Sequence, residues 1–439
     1  MSLSLLLVLV VIFSFAVGRI LTRSAARFVT LSGTEYVLVG VLIGPQFTWN
    51  LLSAEALQAF EPFISLLLGL AGFVLGLRTR RALGDASSAA AGVGSVLGVI
   101  AISAACLLPL VEWLTDSPRA GFVVSRPVLR VAGYVVELHF SSDAMWTALV
   151  LGCVAGTVST ALVARVCEAS RASGRVTRFA LTGSAVAQNV SVIIFGLTLS
   201  SMRAASVESA LRLTVVEWAV TSAGAAIVIG LLFTLFIGRE EDPGRVFLAT
   251  IGLVTFASGV GVALEISPLF INLLAGITVA ATSNRAERVR EHLDRLQHPL
   301  FVLITIFAGA HWLPTSGWLW LLPGAYVAVR ILGGALVTPL MARLFMQEGP
   351  RGIRLGRAFL SQGTMAIAIG LNDALWRPDH APIVLTTVLV GVFACDLFSD
   401  RILSRVLADA GETDRAPSPS SEEEGKMGSS SLRAAEERP

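Results

Sequence analysis

The feature that most limits what this chain can become is a run of about twenty apolar residues, the length a helix needs to cross a bilayer, repeated along nearly its whole length. Between charged or Pro/Gly breaks, thirteen such windows are centred near 3–22, 33–47, 59–77, 87–111, 144–166, 178–200, 209–237, 245–264, 267–283, 298–312, 317–343, 355–375 and 383–405. Only 15% of the 439 residues are charged and the mean hydropathy is +0.75, whereas soluble domains carry roughly 25% charge. Too few charges remain to tile a water-facing surface. The reading is an all-α polytopic membrane protein with about 13 transmembrane helices.

Other classes fall away on the residues themselves. No segment alternates as barrel strands do. Cys106, Cys153, Cys167 and Cys395 lie in or beside apolar segments without CxxC spacing, so neither a disulfide frame nor a metal site is indicated. No hydrolase elbow, phosphate loop or HExxH occurs, and Gly259 and Gly261 lack the rest of a dinucleotide fingerprint, so no enzyme and no cofactor is expected. There is no strongly basic patch for nucleic acid.

The arginines give the orientation. With the N-terminus outside, the inward loops hold twenty, including Arg78, Arg80, Arg81, Arg165 and Arg288, and the outward loops six, including Arg119, Arg203 and Arg377. The positive-inside rule then puts the C-terminus in the cytoplasm of a cell whose inner membrane the chain spans many times. The basic residues of the first window follow its apolar stretch, which suits a span better than a cleaved signal.

Thirteen spans divide into six, a linker and six. An odd linker inverts the second half, which is the plan of inverted-repeat carriers. Residues 1–406 form the membrane domain, with repeat one at about 1–200, the linker helix at about 209–237 and repeat two at about 245–406. Residues 407–439 form an acidic tail, and its Ser/Glu/Gly/Pro-rich part from 411 reads as disordered. Outside this plan, 112–142 is an external insertion of undecided structure. The stretch 284–297 places Val289, Leu293 and Leu296 on one helical face, fitting either an interfacial helix or a solvated connector.

Polar residues inside apolar spans are the candidates for function, because each must be satisfied or must face water. In the fifth span Thr157, Ser159 and Thr160 follow Gly156, a pattern that suits an unwound stretch offering oxygens to a cation. In the sixth, Gln188 and Asn189 are adjacent amides between apolar runs. Ser361, Gln362 and Thr364 flank Gly363 in the twelfth span, at the place matching 157–160. Two matched interruptions point to two crossed discontinuous helices. Arg330, some thirteen residues from either end of the eleventh span, lies too deep to snorkel and needs a partner or a cavity. The deep carboxylates are Glu217 and Asp396, either of which could neutralise Arg330. Asp373 reads as a boundary charge.

These residues resemble the monovalent cation/proton antiporter superfamily. The likeness rests on Gly40-Val-Leu-Ile-Gly-Pro45, on Ser159-Thr160-Ala-Leu-Val with RFALTGSAVAQNVSVIIFGL after it, on Ile266-Ser-Pro-Leu-Phe-Ile-Asn-Leu-Leu-Ala-Gly276, on Arg330, and on LSQGTMAIAIGL at 360–371. It implies a panel domain of spans 1–3 and 8–10 that dimerises, a core of spans 4–6 and 11–13 that moves as an elevator, and a monovalent cation and a proton as the exchanged partners. The family's sixth span presents an Asp at the place where this chain has Asn189. An amide cannot titrate, nor does it carry charge to attract a bare cation. Besides sodium or potassium exchange, the residues therefore leave open a proton-uncoupled carrier of an anion or neutral solute, and a transport-inactive scaffold or sensor.

Overall fold

A computed structural model describes residues 35–46, 52–82, 84–115, 128–131, 134–137, 141–205, 214–237, 242–283, 286–315, 317–346, 356 and 359–413. The first expected span and the tail from 414 lie outside the described residues. Helices α1 (Glu35–Ile43), α2 (Ala54–Ala59), α3 (Glu61–Ala82) and α4 (Ala86–Thr115) come first. Strands β1 (Val128–Val131) and β2 (Tyr134–Glu137) pair antiparallel, so the undecided insertion contains a small two-stranded sheet. Then follow α5 (Ser142–Gly156), α6 (Thr160–Ala169), α7 (Arg175–Ala205), α8 (Val215–Ile237), α9 (Pro243–Ala263), α10 (Pro268–Thr282) and α11 (Ala286–His311). Helices α12 (Leu321–Phe345), α13 (Gly363–Trp376) and α14 (Ala381–Asp409) complete the order. Eight segments among the described residues are long and apolar enough to cross a membrane, and exposed Leu38, Val220, Leu235, Leu248, Phe256 and Leu336 give the exterior its lipid-compatible character.

Local signals set the helix starts. Ser141, Ser159 and Ser267 accept from the backbone N–H three residues on, and proline opens α9 and α10, where its missing N–H costs nothing. Glu412 is a more distant cap. From beyond α14 its carboxylate accepts from the N–H groups of Val176 and Thr177 and from the Thr177 hydroxyl, all at 2.8 Å, fastening the end of the described chain to the start of α7. Ordered contact therefore runs past residue 407, where the acidic tail was expected to begin.

Packing sorts the helices into two groups. In one, α1, α3 and α9–α11 lie together; in the other, α4–α7 and α12–α14 do; α8 touches both through α10 and α7. Two backbone-to-backbone crossings hold the first group. A Cβ on Gly72 would sit 2.1 Å from the Leu269 carbonyl oxygen, and one on Gly276 2.5 Å from that of Phe73, so α3 and α10 meet with no room for side chains. Likewise a Cβ on Gly40 would come within 2.0 Å of the Ile306 oxygen, and one on Gly309 within 2.2 Å of that of Val37, where α1 crosses α11. The second span meets the tenth as the ninth meets the third. That exchange is what an inverted repeat requires of its panel.

Several expectations change. From Ala286 on, the 284–297 stretch does not form a separate interfacial helix: it is the first half of α11, continuous with the tenth span, and Val289 and Leu293 pack with Phe73, Val74 and Leu77 of α3. Arg78 seals that contact, its Nη2 donating to Asp294 and Gln297 at 2.5 Å each. Glu217 is not deep. It lies exposed in the first turn of α8 and accepts from the Thr214 N–H at 2.7 Å and hydroxyl at 2.8 Å, so it is a helix cap with no route to Arg330. Asp373 is fully buried, because Arg377 pairs with it through two hydrogen bonds of 2.9 and 2.8 Å.

Candidate functional site

The fifth span is two helices. α5 stops at Gly156; Thr157 has extended backbone (φ −69°, ψ 144°), and Ser159 (φ −72°, ψ 102°) starts α6. In the second half, residues 360–362 are non-helical, and Gly363 takes φ +67°, the left-handed value that turns the chain into α13. A Cβ at 363 would lie 2.6 Å from the Ser159 hydroxyl oxygen, so glycine meets both the turn and the close approach. The break between α5 and α6 and the non-helical stretch before α13 bond directly, Ser159 N–H donating to the Ser361 carbonyl at 3.0 Å.

Broken helices leave carbonyls without partners at one end and N–H groups without partners at the other. Arg330 of α12, only 4% exposed, answers the first need: its Nη2 donates to the carbonyls of Thr157 (2.8 Å), Phe359 (3.1 Å) and Leu360 (3.1 Å). Asp396 of α14 answers the second, its Oδ1 accepting from Gln362 N–H at 2.8 Å and its Oδ2 from Gly363 N–H at 3.3 Å. A cation sits at a negative helix end and an anion at a positive one, the arrangement the helix dipole favours. Asp396 is therefore a buried cap within the site, not an interfacial charge, and Arg330 is held by carbonyls in place of the expected carboxylate.

Gln362 is fully buried and ties the crossing to its surroundings. Its Nε2 donates to the Val154 carbonyl at 3.0 Å and to the Tyr326 hydroxyl, a short contact. Tyr326 lies one turn before Arg330 on the same helix face. Sequence reasoning passed over it because a tyrosine in an apolar run reads as core, and only the four-residue spacing from Arg330 hinted otherwise. Thr364 is half-buried in the first turn of α13 and makes no hydrogen bond within the described residues.

The two amides of α7 do not form one pair. Gln188 accepts from the Thr160 hydroxyl at 2.7 Å, facing α6. Asn189, 4% exposed, turns toward α3, where its Oδ1 accepts from the Thr79 hydroxyl at 2.9 Å while its Nδ2 donates to the Ala185 carbonyl at 2.8 Å. Thr79 was missed because it sits in an arginine-rich helix end that reads as boundary. A third face of α7, at Gly183 and Ala187, borders a cavity of about 500 Å³ that reaches Arg330. Of the expected site residues, Thr157, Ser159, Ser361, Gln362, Arg330 and Asp396 thus come together, Thr160 and Gln188 form an adjoining pair, and Asn189 faces the other helix group. No cluster of His, Cys, Asp and Glu among the described residues is arranged to hold a metal ion.

No family model and no curated protein sequence matches the chain. Solved structures do. The structure of the sodium proton antiporter MjNhaP1 from Methanocaldococcus jannaschii at pH 8 superposes with a TM-score of 0.62 at 16% identity, covering 93% of this chain and 99% of that one. The chain has the fold of a sodium/proton antiporter. An electron-microscopy map of the same antiporter gives 0.59 at 16% identity over 93% and 98%. In this antiporter fold the panel is the glycine-crossed group, the core is the group holding the crossing, and Thr79–Asn189 bridges the two.

Proposed function

We propose that the chain is a secondary active carrier exchanging a monovalent cation, sodium or potassium, for protons by elevator-type movement of the core against the panel. The observation that carries this reading is the crossing itself. The interrupted fifth span meets the start of α13 through Ser159 and Ser361, with a guanidinium on the carbonyls there and a carboxylate on the N–H groups of Gln362 and Gly363, a fixed polar centre inside apolar helices that a purely structural bundle would not need. Because Asn189 cannot titrate, the carboxylate for proton exchange in this reading is Asp396, the acid at the crossing. The carrier works as a homodimer through the panel, in the inner membrane, with the arginine-rich ends and the C-terminus in the cytoplasm. It catalyses no covalent chemistry.

The test is proton movement in liposomes containing the purified chain and a trapped pH-sensitive dye. A sodium or potassium jump is expected to move protons in the opposite direction, and Asp396→Asn to abolish that movement while the protein still reconstitutes. Silence with both ions across the pH range removes the exchanger reading.

One observation favours a second reading. Arg330 and Asp396 both have helix-end partners, so the crossing offers little net field, and Asn189 is already bonded to Thr79. That balance suits a neutral solute moved without protons. Solute uptake insensitive to pH and to uncoupler would favour it.

A further inference from the structure

A cavity borders the crossing on its core side. It lies wholly within the core group, between α4, α7, α12 and α14, on the side of α7 turned away from Asn189. Its walls are apolar, with Val96, Val99, Val158, Ile331, Phe359 and Val406 among them, and its volume is about 500 Å³. Arg330 closes one end. Arg405 and Asp409, both exposed and one turn apart on α14, mark the other, the cytoplasmic mouth in the orientation proposed above.

Arg330 has more to give than the crossing takes. Its bonds to the carbonyls all come from Nη2, and no carboxylate of the described residues lies within ion-pair distance. Its Nε–H is buried and has no acceptor among the described residues. A buried cation with one N–H still lacking an acceptor beside an apolar void selects a ligand carrying one anionic, planar acceptor and a hydrocarbon body. A dianion would bring charge with no second buried cation among the described residues to meet it, and a neutral hydrocarbon would leave the donor unmet.

We propose that this cavity binds an amphipathic monocarboxylate, its head on the Arg330 guanidinium edge and its chain along Val99 and Val406. Entry is past the exposed pair Arg405 and Asp409 at the mouth. The site does not depend on transport. It stands or falls on binding alone, so its failure and the failure of the exchange reading are separate results.

The experiment uses the full chain in nanodiscs of zwitterionic phosphatidylcholine and a dodecanoate carrying a diazirine at mid-chain. After irradiation, label is expected on the cavity residues of α4 and α14, and unlabelled dodecanoate should compete it away where dodecanol of the same length does not. Arg330→Gln should weaken that competition about tenfold, the loss of one charge-assisted hydrogen bond. Since Arg330 also holds the crossing, Val99→Trp provides an independent arm: it fills the cavity, leaves the crossing alone and should abolish cavity labelling. Label found only on lipid-facing residues, or equal competition by dodecanol, overturns the site. Displacement of the label by added phosphatidylglycerol but not by dodecanoate assigns the cavity to a lipid headgroup and overturns the free carboxylate.

Discussion

A single residue decides the turn into α13, and several others set its electrostatics. Gly363→Ala puts a Cβ at φ +67° and against the Ser159 hydroxyl, and should cost about 1–3 kcal/mol, read as a lower unfolding temperature with the helix content unchanged. Asp396→Asn keeps the shape but replaces a charged acceptor facing two backbone N–H groups, and should cost roughly 1–3 kcal/mol of stability. Asn189→Asp is the informative opposite. It restores a titratable group where Thr79 already donates a hydrogen bond, and it should create or increase cation-dependent proton movement in liposomes. If the Asn189→Asp protein is folded yet as silent as its parent, that position is not an ion site. The sequence showed that residues 188 and 189 were costly amides in an apolar run. It did not show that the side chains diverge, because direction around a helix matters only once neighbouring helices are placed.

At the scale of elements, the helix crossings of the panel are the sensitive joints. Gly72→Leu drives a branched side chain into the backbone of α10 at Leu269, and overpacking of this kind costs about 1–3 kcal/mol or more. Gly224 of α8 is the control, since a Cβ there would meet nothing within 4 Å; Gly224→Ala should be neutral or stabilise by up to about 1 kcal/mol through helix propensity. Comparable unfolding temperatures for the two variants would contradict the crossing geometry. Helix existence was legible nearly everywhere, since apolar length alone sets it. The break in the fifth span was legible from Gly156 and three hydroxyls, and the break in the twelfth from Gly363. The fusion of 284–297 with the next span was not, because Pro299 and His298 read as a boundary while the packing of Val289 and Leu293 on α3 favours one continuous helix. Glu217 misled for a related reason: apolar residues around it suggested depth, and only the helix start at Val215 makes it a cap.

Over the whole molecule, the exchange reading proposed above requires the contacts between core and panel to break. Ser267, which caps α10, donates to Asn372 of α13 at 3.2 Å, and Trp312 donates to Thr386 of α14 at 2.9 Å; with Thr79–Asn189 these are hydrogen bonds that cross the boundary among the described residues. In a chain freed of Cys106, Cys153, Cys167 and Cys395, S267C with N372C bridged by a short bifunctional thiol reagent should arrest transport, and a cleavable bridge should restore it on reduction. Full bridging with undiminished transport would exclude the elevator. By itself the sequence determined the membrane class, the approximate spans among the described residues and the burial of Arg330, because these follow from local composition summed over about twenty residues. Tertiary structure alone decided that Arg330 binds carbonyls, that Asp396 caps α13 and that Asn189 faces the panel. Partners from segments distant in the chain meet only after the helices pack, and a helix face has no meaning until something lies against it.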